Sequence, residues 1–337
     1  MLILNNTVSK KTLLGIAAVV IVGFSAIIGW TLSQPAGTKG EVVLITIKQG
    51  TPTKIIAEEL EKQNLIKNAL VFRFIAKLQG VENSLQAGEY SLSPNMPIRQ
   101  MLIMMSQGQT AYQQITIPEG YTVDQIADLL AEKKLASPTK FKALAKNFTP
   151  FPYMQANPNT KYSVEGFLFP DTYRLARGTS EEALLTMMVK QFDAKLAPEY
   201  RQRASELGLS IREVITMASL VEKEAQLSNE QPIIAGVFAN RLKLNMPLQS
   251  CATIQYILGN PKAELTIQDT QIVSPYNTYQ NMGLPPGPIA NPGAAAIKAV
   301  ISADKTDFLY FVADKQGKHH FSNTYEEHLA AINQVQP

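Results

Sequence analysis

Residues 13–32 read LLGIAAVVIVGFSAIIGWTL, a run without one charged side chain. About 20 such residues are what a helix needs to cross the hydrocarbon core of a bilayer. Lys10 and Lys11 stand just before the run, Trp30 lies near its far end, and the next charged residue is Lys39. The positive-inside rule then predicts a cytoplasmic tail over 1–12, a single transmembrane anchor over 13–32 and an extracytoplasmic remainder. A cleaved signal peptide is the rival reading. Its apolar stretch is ordinarily about 7 to 15 residues and ends in small side chains, and Thr31-Leu32-Ser33-Gln34-Pro35 makes a poor cleavage site. A buried soluble helix would keep a polar face, which this run lacks.

Lys10 and Lys11 supply two of the net +3 charges, so the part beyond the anchor is nearly neutral. Such a balance gives no footing for nucleic acid, which selects basic patches. It suits a neutral polymer such as a polysaccharide better than a polyanion. Cys251 is the single cysteine, so an internal disulfide and any CxxC motif are excluded. His319, His320 and His328 lack the HExxH spacing of a zinc helix. No cofactor and no metal are therefore expected, and the search for chemistry turns to carboxylates.

A Gly/Pro linker over 33–41 leads into an internal repeat. Ile45-Thr46-Ile47-Lys48-Gln49-Gly50 is echoed 70 residues on by Ile115-Thr116-Ile117-Pro118-Glu119-Gly120, and Ile56/Ile126, Ala57/Ala127, Leu60/Leu130 and Leu65/Leu135 match at the same offset. Each copy reads as an alternating strand, a glycine turn and an amphipathic helix. Thr122-x-x-Gln125 has the form of a capping box. The unit resembles LysM-type glycan-binding modules; a small packing unit without a ligand is the plainer alternative. The predicted organisation is a LysM-like α+β region over 42–112, a second strand-helix repeat with its connection over 113–158, and a mostly helical domain with a β-hairpin over 159–337, making an α+β protein.

In that last part, Ser210-x-x-Glu213, Ser228-x-x-Gln231 and Thr324-x-x-Glu327 predict helix starts. Asn291 before Pro292 predicts another, with Asn291 as N-cap. Phe308 to Val312 and His319 to Phe321 read as strands around an Asp314–Gly317 turn.

Two carboxylates interrupt the apolar run Met217-Ala218-Ser219-Leu220-Val221-Glu222-Lys223-Glu224-Ala225. At about 100° per residue, Glu222 shares a stripe with Ile211, Ile215 and Ala218, whereas Glu224 faces elsewhere. A carboxylate on an apolar stripe is desolvated and holds its proton, as a general acid must near neutral pH. The alternative is a solvated helix end with no chemistry. The segment 274–293 has five prolines and three glycines and reads as a stiff loop, with Tyr276, Asn277 and Tyr279 offering aromatic faces and an amide. Cys251 reads as a small apolar filler rather than a nucleophile.

The ordered motifs Glu165-Gly166-Phe167-Leu168-Phe169-Pro170-Asp171-Thr172-Tyr173, Ala218 to Glu224, Val237-Phe238-x-Asn240-Arg241-Leu242, Leu248-Gln249-Ser250-x-x-Thr253-x-x-Tyr256, Tyr276 to Tyr279, Gly283 to Gly293 and Leu309 to Val312 resemble the MltG-like (YceG-like) endolytic murein transglycosylases of bacteria. The resemblance covers nearly the whole chain. It implies cleavage of glycan strands within peptidoglycan, a catalytic glutamate at Glu222 with Glu224 as the alternative, and location at the cytoplasmic membrane, with peptidoglycan synthases as partners there. Motif position and side-chain chemistry put Asn240, Gln249, Thr253, Tyr256, Asn277 and Tyr279 forward as sugar-holding groups. Many members have Asp-Pro where this chain has Cys251-Ala252, which leaves no acid at that point. A two-carboxylate hydrolase using Glu165, Asp171 or Asp269, and a non-catalytic wall-binding scaffold, are the competing expectations.

Overall fold

The computed structural model describes Trp30, residues 34–37 and residues 40–335 other than 156 and 177. The expected cytoplasmic tail, and the anchor apart from Trp30, lie outside the described residues. Among the described residues no helix is long and apolar enough to cross a membrane. The described residues are α+β, with helices and three two-stranded sheets among them. The described residues divide into two compact units, the first running up to 113 and including 174–176, the second covering 114–173 and 178–335.

In the first unit, β1 (Val43–Ile47) is followed by α1 (Thr53–Lys62), α2 (Ala69–Leu78), β2 (Gly88–Leu92) and α3 (Ile98–Ser106). Strands β1 and β2 are antiparallel, with Ile45 opposite Tyr90 and Ile47 opposite Gly88. Alternation along each strand buries Ile45, Ile47, Tyr90 and Leu92 in a core with Leu60, Phe72 and Met101. Fully burying a side chain such as Phe72 or Leu60 contributes roughly 1.5–3 kcal/mol. Asn68 caps α2 by accepting from the N–H groups of Leu70 and Val71.

Strand β3 (Tyr112–Thr116) pairs with β4 (Thr172–Ala176). The second unit continues with α4 (Val123–Glu132), α5 (Pro138–Ala145), α6 (Glu181–Lys195), α7 (Pro198–Glu206), α8 (Ile211–Glu224), α9 (Gln231–Lys243), α10 (Cys251–Leu258), α11 (Ala294–Ile301), β5 (Tyr310–Ala313), β6 (His319–Ser322) and α12 (Tyr325–Val335). Helix α8 is its axis. Every residue from Val214 to Val221 is buried, and α7, α9, α10 and α11 pack around it.

The 70-residue offset survives in the backbone. Gly50 and Gly120 turn the chain at φ 77° and 72°, conformations that glycine adopts without a Cβ penalty. The helices that follow bury Ile56, Ala57 and Leu60 in one copy and Ile126, Ala127 and Leu130 in the other. Each helix ends at a left-handed residue, Asn64 or Lys134. The next N–H then closes back on the helix, from Leu65 to the Leu60 carbonyl and from Leu135 to that of Leu130. Only the second copy has a side-chain cap, the Thr122/Gln125 capping box.

The Ser210/Glu213 box also forms, and Thr324 and Glu327 cap α12 reciprocally. Two expected caps do not. Ser228 to Glu230 is a 3-10 turn, and α9 begins at Gln231 behind Glu230, whose helical φ/ψ forbids a box. Asn291 is not an N-cap, because its side chain is bound elsewhere and Gly293 takes that place. The hairpin strand starts at Tyr310 rather than Phe308, whose N–H turns to Thr306 Oγ1.

Candidate active site

Glu222 occupies the last turn of α8, half-buried, above the buried Ile215 and Ala218. Burial raises its carboxyl above the ordinary range. The Gly293 N–H, which donates to Oε2 at 3.2 Å, and the charge of Lys223 pull it back, while nearby Glu119 pushes it up further. The net effect is a carboxylic acid that holds its proton more strongly than a free glutamate.

The wall opposite α8 is the turn of the second repeat copy. Ile117 donates its N–H to the Asp171 carbonyl, and Gly120 donates to the carbonyl of Asn291, each at 2.9 Å. The N–H of Asn291 returns to the carbonyl of Tyr121 at 2.9 Å. These bonds seat Gly120 where a Cβ would stand 3.5 Å from Glu222 Cγ. The Glu119 carboxylate lies against Gly293, where a Cβ would come within 1.9 Å of its Oε1. Lys223 Nζ reaches the Gly120 carbonyl at 3.5 Å.

Beneath this wall Glu165 is fully buried. Its Oε1 accepts from the Val123 N–H at 2.9 Å and from Asn291 Nδ2 at 3.1 Å, and its Oε2 accepts from the Tyr256 hydroxyl at 3.1 Å. Desolvation outweighs these donors and its pKa is pushed up to about 8. The carboxylate also meets the free N–H end of α4, a favourable place for negative charge. Asn291 ties the two acids together. It bonds Glu165 and Tyr121 through its side chain, accepts from Leu168 N–H at 2.8 Å, and is two residues from the Gly293 N–H on Glu222. Alongside lies a small cleft lined by Thr122, Asp124, Lys161, Lys223, Ala252 and Tyr256 among others. Lys161 sits 5.3 Å above the Tyr256 ring and pairs with Asp124 at 2.8 Å.

The other expected site residues are distributed as follows. Glu224 is bound to the Ser250 hydroxyl and accepts from the Ala252 N–H at 3.4 Å, at the start of α10. Tyr256 lines the cleft and bonds Glu165. Gln249 is exposed, with a left-handed backbone at φ 50°. Tyr279 is partly exposed and meets Cys251 Sγ at 3.1 Å, and burial pushes the pKa of its hydroxyl up. Three others are committed to internal bonds. Thr253 donates to the Ser250 carbonyl at 2.7 Å. Asn277 donates to the carbonyls of Thr270 and Ile272 at 2.9 and 2.8 Å. Asn240 donates to those of Thr306 and Phe308 at 2.7 and 3.1 Å.

Of the alternative acids, Asp171 accepts from Thr172 N–H and from Gln191. Asp269 is held at about 2 by Lys262 and by the N–H and hydroxyl of Thr266. His319 pairs with Glu230 at 2.7 Å and His320 with Asp314 at 3.0 Å. Among the described residues no group of three or more His, Cys, Asp or Glu side chains is arranged to hold a metal ion. Sequence reasoning missed Glu119 and the buried role of Asn291. A signal for Glu119 existed, since the second repeat copy carries an acid where the first has Gln49.

Residues 45–334 match the sequence model of the YceG-like family. The chain is 36% identical over 325 residues to an endolytic murein transglycosylase of Bacillus subtilis, spanning 92% of this chain and 90% of that protein. It is 36% identical over 335 residues to the endolytic murein transglycosylase of Streptococcus pneumoniae, covering 91% of this chain but only 60% of the pneumococcal protein. A 2.6 Å crystal structure of a yceG-like protein from Listeria monocytogenes superposes with a TM-score of 0.61 at 37% identity, over 87% of this chain and 100% of that one. The chain belongs to the YceG-like family.

Proposed function

We propose that this protein is a membrane-anchored endolytic lytic transglycosylase of peptidoglycan, with Glu222 as its one catalytic acid and base. The observation that carries this reading is the half-buried Glu222, its proton affinity raised by burial and its helix neighbour Lys223 lining a cleft, in a chain whose relatives bear that activity in their names.

In this mechanism protonated Glu222 gives its proton to the glycosidic oxygen between MurNAc and GlcNAc. The C1–O bond breaks, GlcNAc leaves with the proton, and positive charge at C1 is stabilised by the neighbouring N-acetyl group. Glu222, now ionised, takes the proton of the C6 hydroxyl of the same MurNAc. That oxygen attacks C1 and closes a 1,6-anhydro ring, returning Glu222 to its acid form. No water is consumed, so one carboxylate suffices where an ordinary glycosidase needs two. The Gly293 N–H supports the ionised form in mid-cycle. Tyr256, Gln249 and Tyr279 are the expected groups best placed to meet sugar, since each borders the cleft or retains exposure. Thr253, Asn277 and Asn240 act behind them, holding the loops. Residues 42–112 serve as a LysM-like glycan-binding region, and 13–32 hold the enzyme at the outer face of the cytoplasmic membrane, near the synthases that make the strands.

The test is digestion of nascent, uncrosslinked glycan with mass analysis of the products. Anhydro-ended fragments without added water are expected. They should vanish with Glu222→Gln and persist with Glu224→Gln. Fragments heavier by one water indicate a two-carboxylate hydrolase instead, and no cleavage at all leaves a wall-binding scaffold.

A further inference from the structure

Glu119 is an exposed acid with no part in the mechanism above, carried on a turn whose backbone is fixed on both sides. The turn that carries it is pinned on one side by Ile117 to Asp171 and on the other by Gly120 to Asn291. Gly120 has the left-handed backbone this turn requires. Gly293 leaves open the space into which the Glu119 carboxylate fits, and the same glycine gives its N–H to Glu222. The first repeat copy makes the same turn with Gln49, so the fold of the turn does not require an acid.

From this juxtaposition we propose that Glu119 is a positioning residue for Glu222, an anion held across Gly293 that keeps Glu222 in its acid form at the pH of the cell wall. The proposal rests on the reading of Glu222 as catalytic acid. A like charge close to a partly buried carboxyl disfavours its ionisation, and Glu119 acts on Glu222 in that sense.

The other charged groups around Glu222 leave Glu119 without a substitute. Lys223, next on the helix, works in the opposite direction. Helix α11 carries one charged side chain, the exposed Lys298. Helix α10 carries the titratable Cys251 and Tyr256, bound to Tyr279 and Glu165. On α9, Arg241 is committed to the carbonyls of Pro247, Leu248 and Leu309, and Lys243 lies at its far end. On α7, Arg201 pairs with Asp193 and Arg203 with Glu206, while Glu199 stands in its first turn.

The experiment compares the full chain with Glu119→Gln and Glu119→Asp. Two readouts are taken: the pH profile of kcat/KM on uncrosslinked glycan, and the 13C titration of the Glu222 carboxyl, assigned by its loss in Glu222→Gln. The alkaline limb reports the acid of the free enzyme. With Glu119→Gln it should move to lower pH, so that activity falls at least about threefold more on that limb than on the acid plateau. The carboxyl resonance should titrate earlier, and Glu119→Asp should restore both toward the wild type. A Glu119→Gln carboxyl that titrates with the wild type overturns the proposal, as does a uniform loss of activity across pH. If Glu222→Gln keeps full activity while the 13C shift is still seen, the catalytic reading fails and the coupling stands.

Discussion

Asn291 donates its side-chain amide to the fully buried Glu165 at 3.1 Å while accepting the N–H of Leu168 at 2.8 Å. One amide thus satisfies three polar groups, since it also reaches the Tyr121 carbonyl at 2.9 Å. Buried groups that lose their partners cost far more than an average hydrogen bond gains. Asn291→Ala should destabilise the protein by roughly 2–4 kcal/mol, measured by urea unfolding. Asn291→Asp should be no milder, because it sets a second acid against Glu165. A loss below about 1 kcal/mol would mean the amide is not the tie described.

Glu165 also sets a pH dependence of stability. Folded, it keeps its proton to about 8, whereas its ordinary value is 4.5. Between those values the folded chain binds the extra proton, so the contribution is fully present at the acid end and is lost as pH rises to about 8. The wild type should lose on the order of a few kcal/mol from this group between pH 5 and pH 8.5. Glu165→Gln cannot ionise, so unfolding free energies measured at the two pH values should lie closer together than in the wild type. Parallel curves would show that Glu165 is already ionised at pH 5.

Gly293→Ala offers an independent handle on the coupling proposed between Glu119 and Glu222. Its φ of −74° suits alanine. The new Cβ would fall 1.9 Å from Glu119 Oε1, the far end of an exposed, flexible side chain. That end swings aside, so the cost in stability should stay within about 1 kcal/mol. The alkaline limb should nevertheless move as in Glu119→Gln, because the anion has been displaced. Adding Glu119→Gln to Gly293→Ala should then shift the limb no further, the non-additivity expected of two changes acting through one contact. Additive shifts would separate the two effects.

Gln249 holds a left-handed backbone that glycine adopts at lower cost. Its N–H bond to the Thr278 carbonyl at 3.0 Å survives any side-chain change. Gln249→Gly should therefore leave stability unchanged or raise it by up to about 1 kcal/mol. If the exposed amide holds sugar, KM for glycan strands should rise several-fold in the same variant. Unchanged kinetics would remove Gln249 from the groove.

Local rules read from the chain carried over where a few neighbouring residues decide the outcome. The capping boxes at Thr122 and Ser210 formed because both partners lie within one turn. The 70-residue repeat reappeared down to the left-handed residues Asn64 and Lys134, because strand, glycine turn and helix are each encoded locally. The half-burial of Glu222 followed from its apolar stripe on α8. Asn291 shows where this stops. As a local motif it is an N-cap before proline. In the fold the acceptors and donors of Glu165, Tyr121 and Leu168, more than a hundred residues away in the chain, take its side chain instead.

The sequence by itself determined the elements of the repeat, the apolar run 13–32, the nearly neutral remainder and the stripe that desolvates Glu222. It also determined family membership, because motifs in order need no coordinates. Only the tertiary structure decided what surrounds each carboxylate. Glu165, Glu119, Glu222 and Glu224 are alike as letters. One is buried against a helix start, one is held across Gly293, one is half-buried beneath that glycine's N–H, and one is bound to Ser250. Their proton affinities depend on desolvation and on charges a few ångströms off, and those neighbours come from segments distant in sequence that only folding brings together.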